Sequence, residues 1–204
     1  MNIVITIILL TILVSVTSWR KYPLQEKFIG HPYSTYLFGE WYRLLSAGFM
    51  HADQIHLAFN LLSFYSFASV LNSSLFHSFG EVLKDLMFLC IYFGGILLAN
   101  LVTYFRHRHQ PYYYHLGASA GVVAIMTAAI LYNPGMSVNL LFLSIPINGM
   151  LYLVGYLFYS FLSRNRDSRV GHLAHFVGGA YAVLFLLLTQ YSTIKNTMVK
   201  FFGG

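Results

Sequence analysis

The sequence predicts an all-α membrane protein with six transmembrane helices. Three observations carry that prediction. The 204-residue chain is 57% hydrophobic and only 9% charged, whereas a soluble domain carries roughly a quarter of its residues charged. Residues 110–162 contain no Lys, Arg, Asp or Glu. That run is too long for one span and suits two, because a helix crosses the hydrocarbon core in about 20 residues. Backbone polar groups in lipid must also be paired internally, which selects helices. The length fits a single membrane domain over residues 1–204, and no repeat or low-complexity tract stands out.

Residues 2–19 are apolar and uncharged and read as a first span. The basic n-region of a signal peptide is missing, so this span is expected to be retained. Residues 20–53 form a long connection that mixes Arg20, Lys21, Lys27 and Arg43 with Tyr33, Tyr36, Phe38, Trp41 and Tyr42. Aromatic rings and long basic chains sit well at headgroup level, so a structured interfacial loop is expected. Residues 55–71 are the second span, 72–81 a turn and 86–105 the third span. Residues 106–115 are a short polar loop holding His107, His109 and three tyrosines. The fourth span, 116–132, stops at Asn133-Pro134-Gly135, a strong breaker. Residues 140–145 are apolar, but Pro146 restricts what precedes it and suits a helix start. The fifth span is therefore expected over 147–163, a basic loop over 163–171, and the sixth span over 172–191.

Cys90 is alone, can form no internal disulfide, and reads as a small core residue. The net charge of +6 comes from scattered basic residues. Nucleic acid is excluded as a partner on that ground, and contact with anionic lipid headgroups is the simpler reading.

The connections before spans two, four and six lie on one side of the membrane. His51 and His56 fall at the start of span two, Ser119 at the start of span four, and His172 and His175 at the start of span six. Reactive polar groups from three helices therefore converge at one level. Intramembrane polar residues are costly, and a cluster of them is a functional hypothesis by default. Span four carries Gly117, Gly121 and alanines at 120, 124 and 128; span six carries Ala174, Gly178 and Ala182. Such small stripes let two helices approach closely, and the expected contact sets Ala174, Gly178 and Ala182 against Gly121 and Ala124.

Ser119 at a helix start has free backbone N–H groups nearby, which favour negative charge. A tetrahedral oxyanion can use the Ser119 N–H, with His56 and the Asn60 amide as further donors. His56 and Asn60 are four apart and share a helix face. The acids Glu26, Glu40, Asp53, Glu81, Asp85 and Asp167 all lie in loops or at span ends. An aspartyl mechanism and a Ser-His-Asp triad are therefore disfavoured. His172-Leu173-Ala174-His175 lacks the Glu of a His-Glu-x-x-His zinc site. A Ser-His dyad remains, with His175 as general base. No metal and no cofactor is expected.

These residues resemble the rhomboid family of intramembrane serine proteases. His51-Ala-Asp-Gln-Ile-His56-Leu-Ala-Phe-Asn60 is similar to that family's His-x4-His-x3-Asn pattern. Tyr42-Arg43 resembles its Trp-Arg pair, with Trp41 displaced by one. Gly117-Ala118-Ser119 resembles its Gly-x-Ser-Gly motif, and Ala174-His175-x-x-Gly178 its Ala-His-x-x-Gly. The likeness runs in order over nearly the whole chain. It implies a rhomboid-like bundle, Ser119 as nucleophile, His175 as base, His56 and Asn60 at the oxyanion, and supporting roles for His51, Arg43, Gly117 and Gly178. The implied partners are transmembrane protein substrates within the lipid bilayer. The implied place is the cell membrane, with the active site facing outside the cytoplasm.

Two positions depart from the family. Ala120 stands where Gly usually follows the serine, which would widen the gap between spans four and six. Val123 stands where many members pack an aromatic ring on the catalytic His, which would loosen His175. The charges also conflict with the implied orientation. Nine of the twelve Lys and Arg (Arg20, Lys21, Lys27, Arg43, Arg106, Arg108, Arg164, Arg166, Arg169) fall on the active-site side, where the positive-inside rule would put the cytoplasm. The departures motivate an alternative, a catalytically weak relative that binds transmembrane helices. A further alternative is a small transporter relaying protons through its buried histidines. For a protease, span five and the loop 163–171 are the expected gate. Trimming Leu157 or Phe161 in span five is expected to open it.

Overall fold

A computed structural model describes residues 2–139, 145–166 and 171–203, without the side chains of 76–78 and 81. Residues 140–144 of the apolar stretch before Pro146, and 167–170 of the expected gate loop, lie outside the described residues. The described chain is an all-α membrane bundle with one small hairpin.

Helix α1 (Ile3–Arg20) starts at Asn2, whose side chain accepts the Val4 N–H at 3.0 Å. Its inward stripe is Val4, Ile7, Thr11, Ser15 and Ser18, at steps of three and four, and the small Thr11, Ser15 and Ser18 let it come close to its neighbours. The long connection is a structured region of three short helices, α2 (Tyr22–Phe28), α3 (Pro32–Phe38) and α4 (Arg43–Ser46), then a 3-10 turn (Ala47–Phe49). Prolines stand in the first turns of α2 and α3, where the missing N–H costs nothing.

Helix α5 (Gln54–His107) corrects the expected turn at 72–81. The chain stays helical on both sides of a single break at Gly80, which has φ 70° and ψ −176°. Only glycine adopts that conformation readily, so one residue reverses the chain where a ten-residue turn was expected. The two limbs, Gln54–Leu75 and Val82–His107, fold back on each other. Phe64 meets Tyr92 at 5.0 Å between ring centroids.

Helix α6 (Ser119–Tyr132) is the centre of the bundle, and all residues from Ala120 to Ile130 are buried. A helix apolar all round belongs in a core. It begins three residues later than expected. After it, Ser137–Asn139 (β1) pairs antiparallel with Pro146–Asn148 (β2). Pro146 therefore opens a strand, and α7 (Gly149–Leu162) starts only after Asn148, whose side chain accepts the Leu151 N–H at 3.2 Å. Helix α8 (His172–Thr189) ends short of Tyr191. An additional amphipathic helix, α9 (Tyr191–Phe202), follows and buries Ile194 against the core at the end of the bundle remote from Ser119. Among the described residues, four helical segments are long and apolar enough to cross a membrane: α1, the two limbs of α5, and α8. Helices α6 and α7 are shorter apolar segments.

The small-residue contacts hold with a different register from the one expected. A Cβ built on Gly178 would collide with the Ala120 carbonyl, so α8 rests on the backbone of Ala120. Gly121 instead faces Tyr92 and Ile96, and Ala124 faces Gly95, all on the second limb of α5. Consecutive residues on a helix point about 100° apart, so Ala120 and Gly121 serve two different neighbours. Helix α7 packs on α8: Leu157 lies on Gly179, and Phe161 meets Phe176 at 5.1 Å. Leu157 and Phe161 thus do not face α5. Between α5 and α7 lie two adjoining cavities, of about 380 and 190 Å³, which share Ser63, Phe67 and Tyr152.

Candidate active site

The segment leading to Ser119 is fastened to the interfacial region before the helix begins. Gly30 and His115 exchange both backbone hydrogen bonds at 2.9 Å, and the Gly117 N–H donates to the Ala47 carbonyl at 2.9 Å. Gly117 has φ 117°, a conformation L side chains avoid. Helix α6 then opens at Ser119 with no side-chain cap at Ala118. The first helical N–H groups therefore keep their donors free for a ligand. Ser119 itself is half-buried.

Ser119, His175 and Asn60 line the 190 Å³ cavity together with Ser63, Met126, Tyr152 and Tyr156. Among the described residues no hydrogen bond joins Ser119 to His175. Catalytic hydrogen bonds are often long before substrate binds. The His175 ring is held by α7: its Nδ1 is 3.0 Å from the Tyr156 hydroxyl, and the two rings stack at 6.1 Å and 25°. An aromatic partner for His175 thus comes from α7, although Val123 stands four residues after the serine. His172 lies beside it at 6.4 Å and packs edge-on against Tyr159. Among the described residues no group of three or more His, Cys, Asp or Glu comes together to hold a metal ion.

Asn60 is buried, and its amide donates one N–H to the His56 carbonyl at 3.1 Å. The second N–H of that amide is left for the cavity. His56 does not line the cavity. Its ring lies beside Gly117, where a Cβ would sit 3.2 Å from His56 Nε2. Its Nδ1 receives the Ala52 N–H at 3.4 Å. A backbone N–H only donates, so the neutral ring carries its proton on Nε2, on the Gly117 side. Asp53 caps α5 by accepting the His56 N–H at 2.7 Å, which fixes where His56 begins the helix.

His51 stands behind His56, with the rings edge-to-face at 5.0 Å. It is 1% exposed, and burial, then the neighbouring His56, pushes its imidazole down to about 4. It is therefore neutral near pH 7. The Ser15 hydroxyl donates to the Phe49 carbonyl at 2.8 Å, so its oxygen accepts from His51 Nδ1 at 3.0 Å. The His51 carbonyl in turn accepts the Trp19 indole N–H at 2.7 Å. Arg43 does not line the cavity. It is buried, donates to Glu40 at 2.6 Å, and binds the carbonyls of Glu26 and Ile29, each at 2.8 Å. It organises the interfacial region on which residues 115–117 hang. Gly178 contributes its lack of a side chain, as the seat of α8 on Ala120.

Two residues of this arrangement escaped the sequence reading. Tyr156 had a signal: Tyr152 and Tyr156 are four apart in a span otherwise read by its large apolar residues. Ser15 had one too, in the small polar stripe Thr11, Ser15, Ser18 of the first span.

The Rhomboid domain family matches residues 38–191 of the chain. "Putative rhomboid protease YdcA" of Bacillus subtilis (strain 168) is 32% identical over 87 residues, covering 43% of this chain and 39% of that protein. The chain thus aligns with well under half the length of this curated relative. The family match spans every helix that lines the cavity, from the first limb of α5 to α8, and takes in Ser119, His175 and Asn60. This protein belongs to the rhomboid family.

Proposed function

We propose that this protein is an intramembrane serine endopeptidase that cleaves transmembrane protein substrates with a Ser119–His175 dyad. The observation that carries the reading is the convergence of Ser119, His175 and Asn60 on one cavity between α5 and α7. Family membership supports the same reaction class.

In this reading His175 Nε2 takes the Ser119 hydroxyl proton as Oγ attacks the scissile carbonyl carbon. The carbonyl π electrons move to oxygen. The Ser119 N–H, the free Asn60 amide N–H and His56 Nε2–H are the donors for that oxyanion. When the C–N bond breaks, the proton on Nε2 goes to the leaving amine. Water then enters, gives a proton to Nε2, and its oxygen displaces Ser119 from the acyl carbon. The proton returns to Oγ.

The chain forms one domain that crosses the cell membrane six times, with the Ser119 end facing outside the cytoplasm. Helix α6 supports a submerged site. At 1.5 Å per residue its 14 residues span about 21 Å, less than the roughly 30 Å hydrocarbon core.

The test is labelling with a fluorophosphonate probe. The purified protein should label, Ser119→Ala should not, and His175→Ala should label orders of magnitude more slowly. Equal labelling of Ser119→Ala and the unaltered protein would overturn the protease reading. Orientation is tested with Tyr112→Cys in a Cys90→Ala background, since Tyr112 is 91% exposed in the 106–118 connection. A membrane-impermeant maleimide should reach it on intact cells, and protection until the cells are opened would reverse the orientation.

A further inference from the structure

We infer that α9 is a membrane-surface helix, and that Lys195 and Lys200 bind the headgroups of anionic phospholipids at the end of the bundle remote from Ser119. Helix α8 stops at Thr189, and Gln190, with φ −135° and ψ 27°, separates it from α9. Near the other end of α9 the Phe201 ring lies against Gly135, just past α6, where a Cβ would be 3.8 Å from it. Helix α9 therefore runs from the foot of α8 across the foot of α6. Its 12 residues extend about 18 Å, too short to cross the roughly 30 Å hydrocarbon core.

Residues three and four apart share a helix face, and α9 presents three such stripes. Ile194, Met198 and Phe201 face the bundle: Ile194 is buried in the core and Met198 packs against it. Beside them run Tyr191, Lys195, Val199 and Phe202, of which the three apolar members are 58%, 60% and 72% exposed. The third stripe is Ser192, Asn196 and Lys200, all exposed. A bilayer is at hand to cover the apolar stripe, because the spans of this chain cross one. An in-plane helix sinks such a flank about 5–10 Å into the boundary of headgroups and acyl chains and keeps its polar flank in water. Tyr191 suits that level. Lys195 stands within the apolar stripe, where its methylenes cover the neighbours while the ammonium reaches the headgroups. Charge selects the lipid, since α9 holds two lysines and no Asp or Glu. Headgroup contacts then press Ile194 onto the core and steady the foot of α6.

The test uses the full-length protein in nanodiscs of phosphatidylcholine, with or without phosphatidylglycerol. Spin labels are placed on Ser192→Cys or Val199→Cys, each in a Cys90→Ala background. The Val199→Cys label should be reached by oxygen and shielded from a water-soluble nickel chelate, and the Ser192→Cys label should show the reverse. Two labels equally open to the chelate, or equally immersed in hydrocarbon, would overturn the surface placement. Dipolar broadening between Val199→Cys labels would mean that a second copy covers the stripe, and would overturn it too. Amide exchange of α9 then reads the lipid. Phosphatidylglycerol should slow it roughly tenfold at low salt, and high salt should remove the effect. Replacing both lysines, Lys195→Gln with Lys200→Gln, should abolish the slowing and leave the label pattern in place. Equal exchange with and without phosphatidylglycerol, or the same slowing without the lysines, would overturn their assignment to anionic headgroups.

Discussion

Gly178 rests on the peptide unit of Ala120: a methyl group on Gly178 would overlap the Ala120 carbonyl oxygen and press on its Cα. The contact is with backbone, which cannot rotate aside as a side chain can. The two helices meet this closely although Ala120 stands where the resemblance implies glycine. The surface that α8 needs is the Ala120 main chain, and the alanine methyl does not hold the helices apart. Gly178→Val should therefore push α8 off α6 and carry His175 away from Ser119. Overpacking of this kind costs about 1–3 kcal/mol, so the variant should stay folded in detergent and fail to label with fluorophosphonate. Full labelling would mean that α8 can shift without moving its histidine.

Gly117→Ala should damage the oxyanion side of the site. The new Cβ would lie 3.1 Å from the His56 ring, at a residue with φ 117°. A side chain in such a conformation costs on the order of 1–3 kcal/mol. The segment is pinned by the Gly117 N–H on Ala47, so the strain falls on His56. The expected result is a turnover lowered by roughly ten- to a thousandfold, with substrate KM nearly unchanged. Unaltered turnover would remove His56 from the oxyanion donors.

The clasp between Gly30 and His115 should loosen in acid. The His115 ring lies on Gly30, and burial, with neighbouring His107 and His31, pushes its imidazole down from 6.5 to about 4. Tyr113 is its ring neighbour at 6.2 Å, and no carboxylate is among the groups that set its value. A base with a depressed folded value is neutral when clasped and charged when released. Its contribution is full above about pH 6.5 and is lost as pH falls toward 4, since only the open form binds the proton there. Protection factors of the His115 and Gly117 amides, corrected for intrinsic exchange, should drop over that window. His115→Gln should flatten the dependence. A flat profile in the unaltered protein would exclude His115 as its cause.

The helical segments were legible because apolar runs and breakers act locally. Asn133-Pro134-Gly135 ends α6 at Tyr132 as its chemistry requires. Gly80 shows the limit. Nothing local separates a one-residue reversal from a longer turn, and packing between the limbs, such as Phe64 on Phe88 and Tyr92, rewards the tighter one. Pro146 is the same kind of case. It suits a helix start equally well, and pairing with Asn139 makes it a strand residue. At the candidate site, Ser119, His175 and Asn60 could be brought together on paper because Ser119 and His175 sit near helix starts on one side and Asn60 shares a helix face with His56, near a third. The register of the small stripes could not, because spacing of four states that a face exists and not which neighbour it meets. Tyr156 is invisible for a similar reason. Its partner is 19 residues away, across a connection.

The route to the cavity follows from which seam of α7 is open. Trimming Leu157 or Phe161, expected from sequence to open a gate, should instead loosen α7 from α8, because Leu157 sits on Gly179 and Phe161 on Phe176. Those variants should label more slowly, since Tyr156 would no longer be held against His175. The seam facing α5 is the open one, marked by the cavities that share Ser63, Phe67 and Tyr152. Helices in lipid are held together largely by packing contacts, and the cavities leave fewer of them to break on this side, so separation here is the cheaper motion. Gating motions of this kind often limit turnover. Cysteines at Ser63 and Tyr152, in a Cys90→Ala background, place one thiol on each wall. Joining them with a short bifunctional maleimide should slow cleavage of a transmembrane substrate strongly relative to the same variant before cross-linking. Fluorophosphonate labelling should persist, because a small probe does not need the walls to part. Cleavage at the uncross-linked rate would place the substrate's path elsewhere. Equal loss of both readouts would mean that the link had distorted Ser119 itself.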